Sequence, residues 1–190
     1  MSKKHSENPT QAPTVVLIGN PNAGKSTLFN ALTGMNQTTG NYPGVTVERK
    51  QGKLKLPDGR IARLLDLPGT YSLLSKSPDE EIVRKTLAGQ IEAGGRPDLG
   101  VIVLDASNFE RNLYLALQIM DTGLPVVIAL NMWDAAGDRG VRPDVQKLSK
   151  ELRVPCVPTV GHRREGIAEL TDAIERELTR YAKRKGAAPL

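Results

Sequence analysis

Apolar residues recur along this chain in two patterns, as short continuous runs and as longer segments with helical spacing. Thr14–Gly19 reads TVVLIG, and comparable runs occupy residues 61–66, 99–105, 125–131 and 154–159. Such runs are typical of strands buried on both faces of a sheet. Segments with helical spacing lie between them, at residues 24–32, 77–93, 108–122 and 144–152, and a last helix has one apolar face made by Ile167, Leu170, Ile174 and Leu178. The alternation predicts an α/β fold with a mostly parallel sheet and helices on both faces.

One antiparallel pair is expected at an edge of this sheet. Residues 45–56 and 61–66 are strand-like, and they flank the tetrapeptide Pro57-Asp58-Gly59-Arg60. An Asp-Gly pair between two such runs is a strong signal for a β-hairpin. The prediction is therefore a mostly parallel sheet with one antiparallel edge strand.

The segment that begins at Ser77 carries the signals of a helix start. Ser77 is a capping residue, Pro78 suits the first helical position, and Glu80 completes a capping box. We expect this helix to continue to about residue 93 and to end at the glycine pair 94–95.

Composition favours a soluble, cytoplasmic domain. The chain has 190 residues, of which 39% are hydrophobic and 25% are charged. Its one cysteine, Cys156, excludes an internal disulfide and suits a reducing compartment. The longest apolar runs are much shorter than the roughly 18–20 residues that span a bilayer. We expect one domain over residues 14–183, a disordered lead-in over 1–13 and a tail over 184–190.

The positive charge does not by itself indicate a nucleic-acid partner. The net charge is +5, and its one local cluster lies at the end of the last helix, in Arg180, Lys183, Arg184 and Lys185. Cations in the last turn of a helix complement its dipole. Aromatic residues make up only 4% of the chain, so no nucleic-acid partner is expected.

A phosphate-binding loop follows the first predicted strand. Its sequence is Gly19-Asn20-Pro21-Asn22-Ala23-Gly24-Lys25-Ser26, followed by Thr27. This is the G-x-x-x-x-G-K-[ST] pattern, in which backbone N–H groups and a helix N-terminus surround the phosphates. Lys25 is expected to reach the β- and γ-phosphates, and the Ser26 hydroxyl to ligate Mg²⁺.

Two further segments complete the predicted phosphate and magnesium site. Asp66-Leu67-Pro68-Gly69 follows a strand, so Asp66 is expected to hold Mg²⁺ and the Gly69 N–H to face the γ-phosphate. Between the two motifs lies Gly44-Val45-Thr46-Val47-Glu48, after the non-periodic residues 38–44. Thr46 is predicted to be a second hydroxyl ligand of Mg²⁺, in a segment that orders with the γ-phosphate.

The base is predicted to be guanine. Asn131-Met132-Trp133-Asp134 ends a buried strand, and the Asp134 carboxylate can accept hydrogen bonds from guanine N1–H and its 2-amino group, which adenine does not offer. The Asn131 amide can bond the base edge and tie this loop to the phosphate loop. After the following strand stand Gly161 and His162, whose backbone N–H groups are candidate donors to the guanine oxygen.

These motifs in this order resemble the translation-factor-like branch of P-loop GTPases, which implies a Ras-like fold. The sequences GNPNAGKSTLFN from residue 19, GNYPGVTVERK from residue 40 and DLPGTYSL from residue 66 look like those of the N-terminal G domain of bacterial ferrous-iron transport protein B. The resemblance covers residues 14 to about 180. It implies a slow GTPase that controls or couples to passage of Fe²⁺ through a membrane domain or a separate membrane partner, at the cytoplasmic face of the inner membrane.

The resemblance also implies stimulation by potassium. K⁺ would be held by Asn22 and by backbone carbonyls of residues 40–42. Thr70 occupies the position where many GTPases have a water-orienting glutamine, so another positive charge must stabilise the transferring phosphoryl group. A bound K⁺ is one candidate for that charge.

Several alternatives stay open at this stage. The family continues into further domains, and this chain ends at Leu190, so it is either a fragment or a stand-alone G protein. One alternative function is an RNA- or ribosome-associated GTPase. Another is a binding module that distinguishes GTP from GDP with negligible hydrolysis. The sequence leaves the oligomeric state undecided.

Overall fold

The computed structural model describes residues 12–42, 44–74, 77–91, 95–184 and 186. These residues form a seven-stranded sheet and six α-helices. The strands are β1 (Thr14–Gly19), β2 (Gln37–Asn41), β3 (Glu48–Lys55), β4 (Ile61–Asp66), β5 (Leu99–Asp105), β6 (Val126–Asn131) and β7 (Cys156–Pro158). The helices are α1 (Lys25–Thr33), α2 (Pro78–Leu87), α3 (Phe109–Asp121), α4 (Trp133–Asp138), α5 (Val145–Leu152) and α6 (Ile167–Arg184).

The sheet confirms the expected α/β class. Its strand order is β2-β3-β4-β1-β5-β6-β7, and the pairs from β4 to β7 are all parallel. Side chains of β1 alternate between two cores, because successive residues of a strand point to opposite faces. Val15 and Leu17 pack with α1 and α6, whereas Val16 and Ile18 pack with α2 and α3.

The last helix packs as its spacing predicts. Leu170, Ile174 and Leu178 are buried in the core on the α1 side, and Ile167 packs against that core. The opposite side of α6 is polar, so the helix is amphipathic along its 18 residues. Among the described residues, the helices all fall short of the length and apolarity that a membrane span requires.

The expected hairpin forms, and an additional strand lies outside it. β3 pairs antiparallel with β4 around the turn at residues 57–60, where the Arg60 backbone N–H donates to Asp58 Oδ1 at 3.0 Å. β2 then pairs antiparallel with β3 and becomes the outermost strand. The sequence did not predict β2, since all five of its residues are exposed and leave no alternation to detect.

Helix α2 starts as predicted and ends earlier. The Ser77 hydroxyl accepts a hydrogen bond from the Glu80 backbone N–H at 3.2 Å, and Pro78 is the first helical residue. The helix ends at Leu87 because Gly89 adopts a left-handed conformation with φ of 75°. The N–H of Gly89 then bonds to the Thr86 carbonyl and that of the next residue to the Lys85 carbonyl, which closes a Schellman motif. The prediction had placed the end at the later glycine pair.

The expected lead-in and tail lie almost wholly outside the described residues. Of residues 1–13, the structure describes Ala12 and Pro13, and of residues 184–190 it describes Arg184 and Gly186. The Pro13 carbonyl accepts a hydrogen bond from the Arg63 backbone N–H at 2.8 Å. The sheet hydrogen bonding therefore begins one residue before the predicted domain boundary.

We expect Ser77→Ala to lower the free energy of unfolding by about 1 kcal/mol, because the substitution removes an N-cap hydrogen bond. Ser77→Asp restores a capping oxygen and should unfold close to the wild-type midpoint. Urea unfolding followed by circular dichroism measures both. Equal midpoints for Ser77→Ala and the wild type would contradict the role of the cap.

Candidate nucleotide-binding site

The predicted site residues gather at one edge of the sheet. Gly19 ends β1, Asp66 ends β4 and Asn131 ends β6. β1 pairs parallel with β4 and with β5, and β5 pairs parallel with β6. The carboxyl ends of β1, β4 and β6 therefore lie at the same edge of the sheet. Ligands of open α/β sheets bind at this edge.

The loop between β1 and α1 has the shape of an anion-binding nest. Asn22 and Gly24 both adopt left-handed conformations, with φ of 66° and 83°, and the Ala23 N–H bonds back to the Asn20 carbonyl at 3.2 Å. Helix α1 starts immediately after, at Lys25. A side chain at Gly24 would collide with the Asn131 amide nitrogen, so the position admits only glycine without rearrangement.

Lys25 and Asp66 face a common cavity of about 250 Å³. Burial lowers the pKa of the Lys25 ammonium, against the opposing effect of the Asp66 charge. Each group is therefore partly desolvated beside a charge of opposite sign. The cavity is lined by Lys25, Ser26, Val47, Glu48, Lys50, Asp66, Leu67, Pro68, Gly69 and Asp79.

The donor groups in this cavity fit Mg²⁺. The Asp66 carboxyl oxygen Oδ1 is buried and has no hydrogen-bond partner. Burial raises the pKa of Asp66, and the charges of Lys25 and Lys50 with the Ser26 hydroxyl oppose that rise. A buried carboxylate oxygen without a partner needs a cation or a donor, and carboxylate and hydroxyl oxygens are the ligands that Mg²⁺ prefers.

Thr46 does not line the magnesium cavity. Gly44, Val45 and Thr46 are exposed on the connection between β2 and β3, whereas Val47 and Glu48 reach the cavity wall. In this conformation, then, the structure brings Ser26 and Asp66 together and leaves the third predicted magnesium ligand outside.

Asn22 lines a different cavity, of about 130 Å³, on the α3 side of the phosphate loop. Its neighbours there include Tyr71 and Arg111, and the Arg111 guanidinium lies 5.0 Å from the centre of the Tyr71 ring. Residues 40–42 are absent from the described lining of this cavity. Of the predicted potassium donors, Asn22 therefore lines this cavity and the carbonyls of residues 40–42 do not.

The Asn131 side chain connects three segments of the site. Its Nδ2 donates to the Ala23 carbonyl at 3.0 Å, which gives the predicted tie between the base loop and the phosphate loop. Its Oδ1 accepts hydrogen bonds from the Gly161 N–H at 3.1 Å and from the Thr159 hydroxyl at 3.2 Å. The Gly161 N–H is therefore engaged within the protein, and His162 supplies the remaining candidate backbone donor.

A third cavity, of about 270 Å³, lies where the base is expected. It is lined by Gly24, Thr27, Asn131, Met132, Asp134, Ala135, Gly161 and His162. Met132 is left-handed, with φ of 58°, so the chain turns sharply and places Asp134 in the first turn of α4. Sequence periodicity missed α4 because it has only six residues.

The Asp134 carboxylate has two basic neighbours from the loop after β7. Its Oδ2 lies 3.6 Å from His162 Nε2 and 3.9 Å from an Arg163 nitrogen. Trp133, the preceding residue, faces the Arg142 guanidinium at 5.2 Å, and its carbonyl accepts a hydrogen bond from Arg142 Nε at 3.1 Å. These contacts hold the start of α4 against the surrounding loops.

Two charged residues in the magnesium cavity were missed from the sequence, Lys50 and Asp79. Lys50 lies directly opposite Asp66 in the register of β3 and β4. The hairpin turn fixes this register, so counting pairs outward from residues 57–60 could have found Lys50. Asp79 follows the cap of α2, and no sequence signal placed that helix end near the phosphates.

The family profile described as ferrous iron transport protein B matches residues 13–174. This chain belongs to that family. It is 48% identical over 176 residues to the Fe(2+) transporter FeoB of Salmonella typhimurium, an alignment that covers 89% of this chain and 22% of that protein. The chain thus corresponds to a minor part of the length of the curated FeoB proteins it matches.

Solved FeoB structures have the same fold. The FeoB G-domain from Methanococcus jannaschii is 42% identical, with a TM-score of 0.75, over 88% of this chain and 98% of that one. A GDP-bound NFeoB variant from S. thermophilus is 45% identical, with a TM-score of 0.77, over 85% of this chain and 61% of that one. The Ras-like architecture expected from the motifs is therefore shown for this FeoB-family chain.

We expect Asn131→Ala to reduce both stability and nucleotide affinity, because it leaves the Ala23 carbonyl and the Gly161 N–H without partners. Each buried group left unsatisfied costs about 1–3 kcal/mol. Thermal unfolding and titration with GDP measure the two effects, with exposed Asn36→Ala as the matched control. A wild-type melting temperature for Asn131→Ala would contradict this connecting role.

Proposed function

We propose that this chain is a guanine-nucleotide switch that binds GTP and GDP with Mg²⁺ and hydrolyses GTP slowly. The observation that carries the proposal is the buried, partnerless Oδ1 of Asp66, a residue that lines the same cavity as Lys25, with the base cavity joined to the phosphate loop through Asn131. The residues that would contact the nucleotide are those of the five predicted segments, at residues 19–27, 44–48, 66–69, 131–134 and 161–162.

The phosphates would bind over the nest at residues 19–26. Backbone N–H groups and the N-terminus of α1 supply donors and a partial positive charge. Lys25 would contact the β- and γ-phosphates, with Ser26 and Asp66 holding Mg²⁺. Held there, Mg²⁺ would supply positive charge that neutralises the phosphate oxygens.

Guanine would be selected by the Asp134 carboxylate through its N1–H and 2-amino donors. Adenine would leave that carboxylate without partners, which penalises its binding. The backbone N–H of His162 would serve the guanine oxygen, since Gly161 already donates to Asn131. Gly24 and Thr27 line the space between base and phosphates.

Hydrolysis would require the segment containing Thr46 to close. Thr46 would then add its hydroxyl to the metal, and the Gly69 N–H would face the γ-phosphate. Thr70 would not donate to the attacking water in this conformation, because its hydroxyl donates to the Ser72 carbonyl at 2.7 Å and accepts from the Ser72 N–H at 3.3 Å. This supports a slow rate and a requirement for additional positive charge.

Potassium would supply part of that charge, held by Asn22 and the carbonyls of residues 40–42 once the same segment has closed. A carboxamide oxygen and backbone carbonyls suit a monovalent cation.

The second candidate function is a GTP/GDP-sensing module with negligible hydrolysis, and the engaged Thr70 hydroxyl is the observation that favours it.

The proposed cellular role is control of Fe²⁺ uptake or coupling to it. The matched relatives are named Fe(2+) transporters, and this chain covers 22% of their length. The switch would act at the cytoplasmic face of the inner membrane, on a membrane domain or on a separate membrane partner. No nucleic-acid partner is proposed.

We expect GTP turnover to be faster in KCl than in NaCl at equal ionic strength, because K⁺ would add charge at the phosphates. Phosphate release by the purified chain measures it. Asn22→Ala should remove the difference between the salts, while exposed Asn36→Ala should preserve it. Equal rates in both salts would remove the potassium argument and favour the sensing module.

Asp134→Asn should weaken GDP binding and shift preference toward xanthosine nucleotides, since an amide can donate to the 2-oxo group of xanthine. The expected loss of guanine affinity is at least tenfold, corresponding to about 1.4 kcal/mol. Competition titrations with GDP and XDP measure it. Asp138→Asn, on an exposed turn of the same helix, serves as control. An unchanged ratio of GDP affinity to XDP affinity would exclude Asp134 as the residue that recognises guanine.

A further inference from the structure

We propose that Lys50 is a further catalytic residue, whose ammonium group contacts the γ-phosphate oxygens of GTP during hydrolysis. This inference rests on the proposed function, since it requires GTP with its phosphates at Lys25 and Asp66. It assigns to a lysine of the chain itself the charge that many GTPases receive from an arginine finger.

The strand register places Lys50 at the phosphate site. Lys50 on β3 is the direct partner of Asp66 on β4, and opposed residues of an antiparallel pair project from the same face. Leu54, four residues along β3, lies in the core on the α1 side, which identifies that face as the one adjoining α1. Lys50 accordingly lines the same cavity as Lys25 and Gly69.

Lys50 and Lys25 line one cavity together with Asp66. Two ammonium groups therefore belong to the walls of the space in which the phosphates and the metal would bind. A third charge brought between them, such as a γ-phosphate, would be attracted by both ammonium groups.

Lys50 is available to change partners. Its Nζ lies 3.4 Å from the Glu48 carboxylate, and the Glu48 side chain is 57% exposed. Exposed ion pairs of this kind contribute little to stability, about 0–1 kcal/mol. Exchanging Glu48 for a phosphate oxygen thus requires a side-chain rotation and gives up a weak contact.

The reaction needs this charge. Water attacks the γ-phosphorus, the bond from that phosphorus to the β–γ bridging oxygen breaks, and the products are GDP and phosphate. Of the two protons of the attacking water, one stays on the phosphate product and one passes to solvent, and Lys50 keeps its own proton throughout. Negative charge develops on the leaving β-phosphate and on the equatorial γ-oxygens. Among the described residues that line the cavity, the only cationic side chains are Lys25 and Lys50.

The test is single-turnover GTP hydrolysis at saturating protein, with affinities for GDP and GTPγS measured in parallel. Lys50→Gln should reduce the turnover rate by about 10- to 100-fold and leave GDP affinity within about twofold of wild type. Lys50→Arg keeps the charge and should recover most of the rate. Lys53→Gln, at an exposed position of the same strand, is the matched control and should behave as wild type.

A second variant examines the partner exchange without removing Lys50. Glu48→Gln removes both the carboxylate that holds Lys50 and a negative charge facing the γ-phosphate. GTPγS should bind about two- to fivefold more tightly than to wild type, which corresponds to about 0.4–1 kcal/mol, and GDP affinity should not change. Tighter binding of GTPγS with an unchanged affinity for GDP supports the exchange of partners by Lys50. An equal change in affinity for both nucleotides contradicts it.

The outcomes separate this inference from the function beneath it. If the wild type hydrolyses GTP and Lys50→Gln does so at the same rate, Lys50 is not catalytic, while the GTPase proposal stands. If Lys50→Gln loses GDP affinity and thermal stability together with rate, its role is structural and the inference is overturned. If the wild type binds no guanine nucleotide, both proposals fall together.

Discussion

The Asn131 amide is the contact on which the geometry of the whole site depends. Asn131 ends β6, a strand that is buried throughout. Its two polar side-chain atoms reach the Ala23 carbonyl on one side and the Gly161 N–H on the other. Loops from three different strands are thereby held at fixed separations by one buried side chain. Because every group involved is removed from water, each bond is stronger than it would be at the surface and loss of one leaves the others uncompensated. Glycine at position 24 follows from the same contact, as any larger residue would displace the amide.

The two halves of the site rest on parts of the sheet that differ greatly in burial. Strand β6, which leads into the base loop, is buried throughout, whereas the β2 side chains are exposed. Local opening requires less free energy where few apolar contacts must be broken. Local opening is therefore expected to cost less free energy at β2 than at the base loop. Thr46, the proposed third ligand of Mg²⁺, lies in the exposed part of the connection between β2 and β3.

This difference in burial also explains how far the sequence could be interpreted. Strands β1, β5 and β6 were predictable because both of their faces are apolar, and the phosphate and base motifs were located by the strands that precede them. Strand β2 was not predictable, since backbone hydrogen bonds to β3 define it and its side chains carry no pattern. The end of α2 depended on which glycine adopts the left-handed conformation, and Gly89 does so five residues before the expected pair. Lys50 was overlooked because its place in the site arises from pairing across a hairpin, which a linear motif does not encode.

The loop after β7 shows how an irregular sequence element can alter affinity without altering specificity. His162 and Arg163 both approach the Asp134 oxygen that guanine would need. Those contacts are long and solvent-exposed, so each is worth well under about 1 kcal/mol, yet guanine must share or replace them to form its own hydrogen bonds. The Asp134 carboxylate consequently has two partners before any base binds. The free energy of losing these contacts would offset part of the free energy gained from guanine. Adenine would displace the same neighbours and return no hydrogen bond, so discrimination between the bases is preserved while the net affinity for either is reduced.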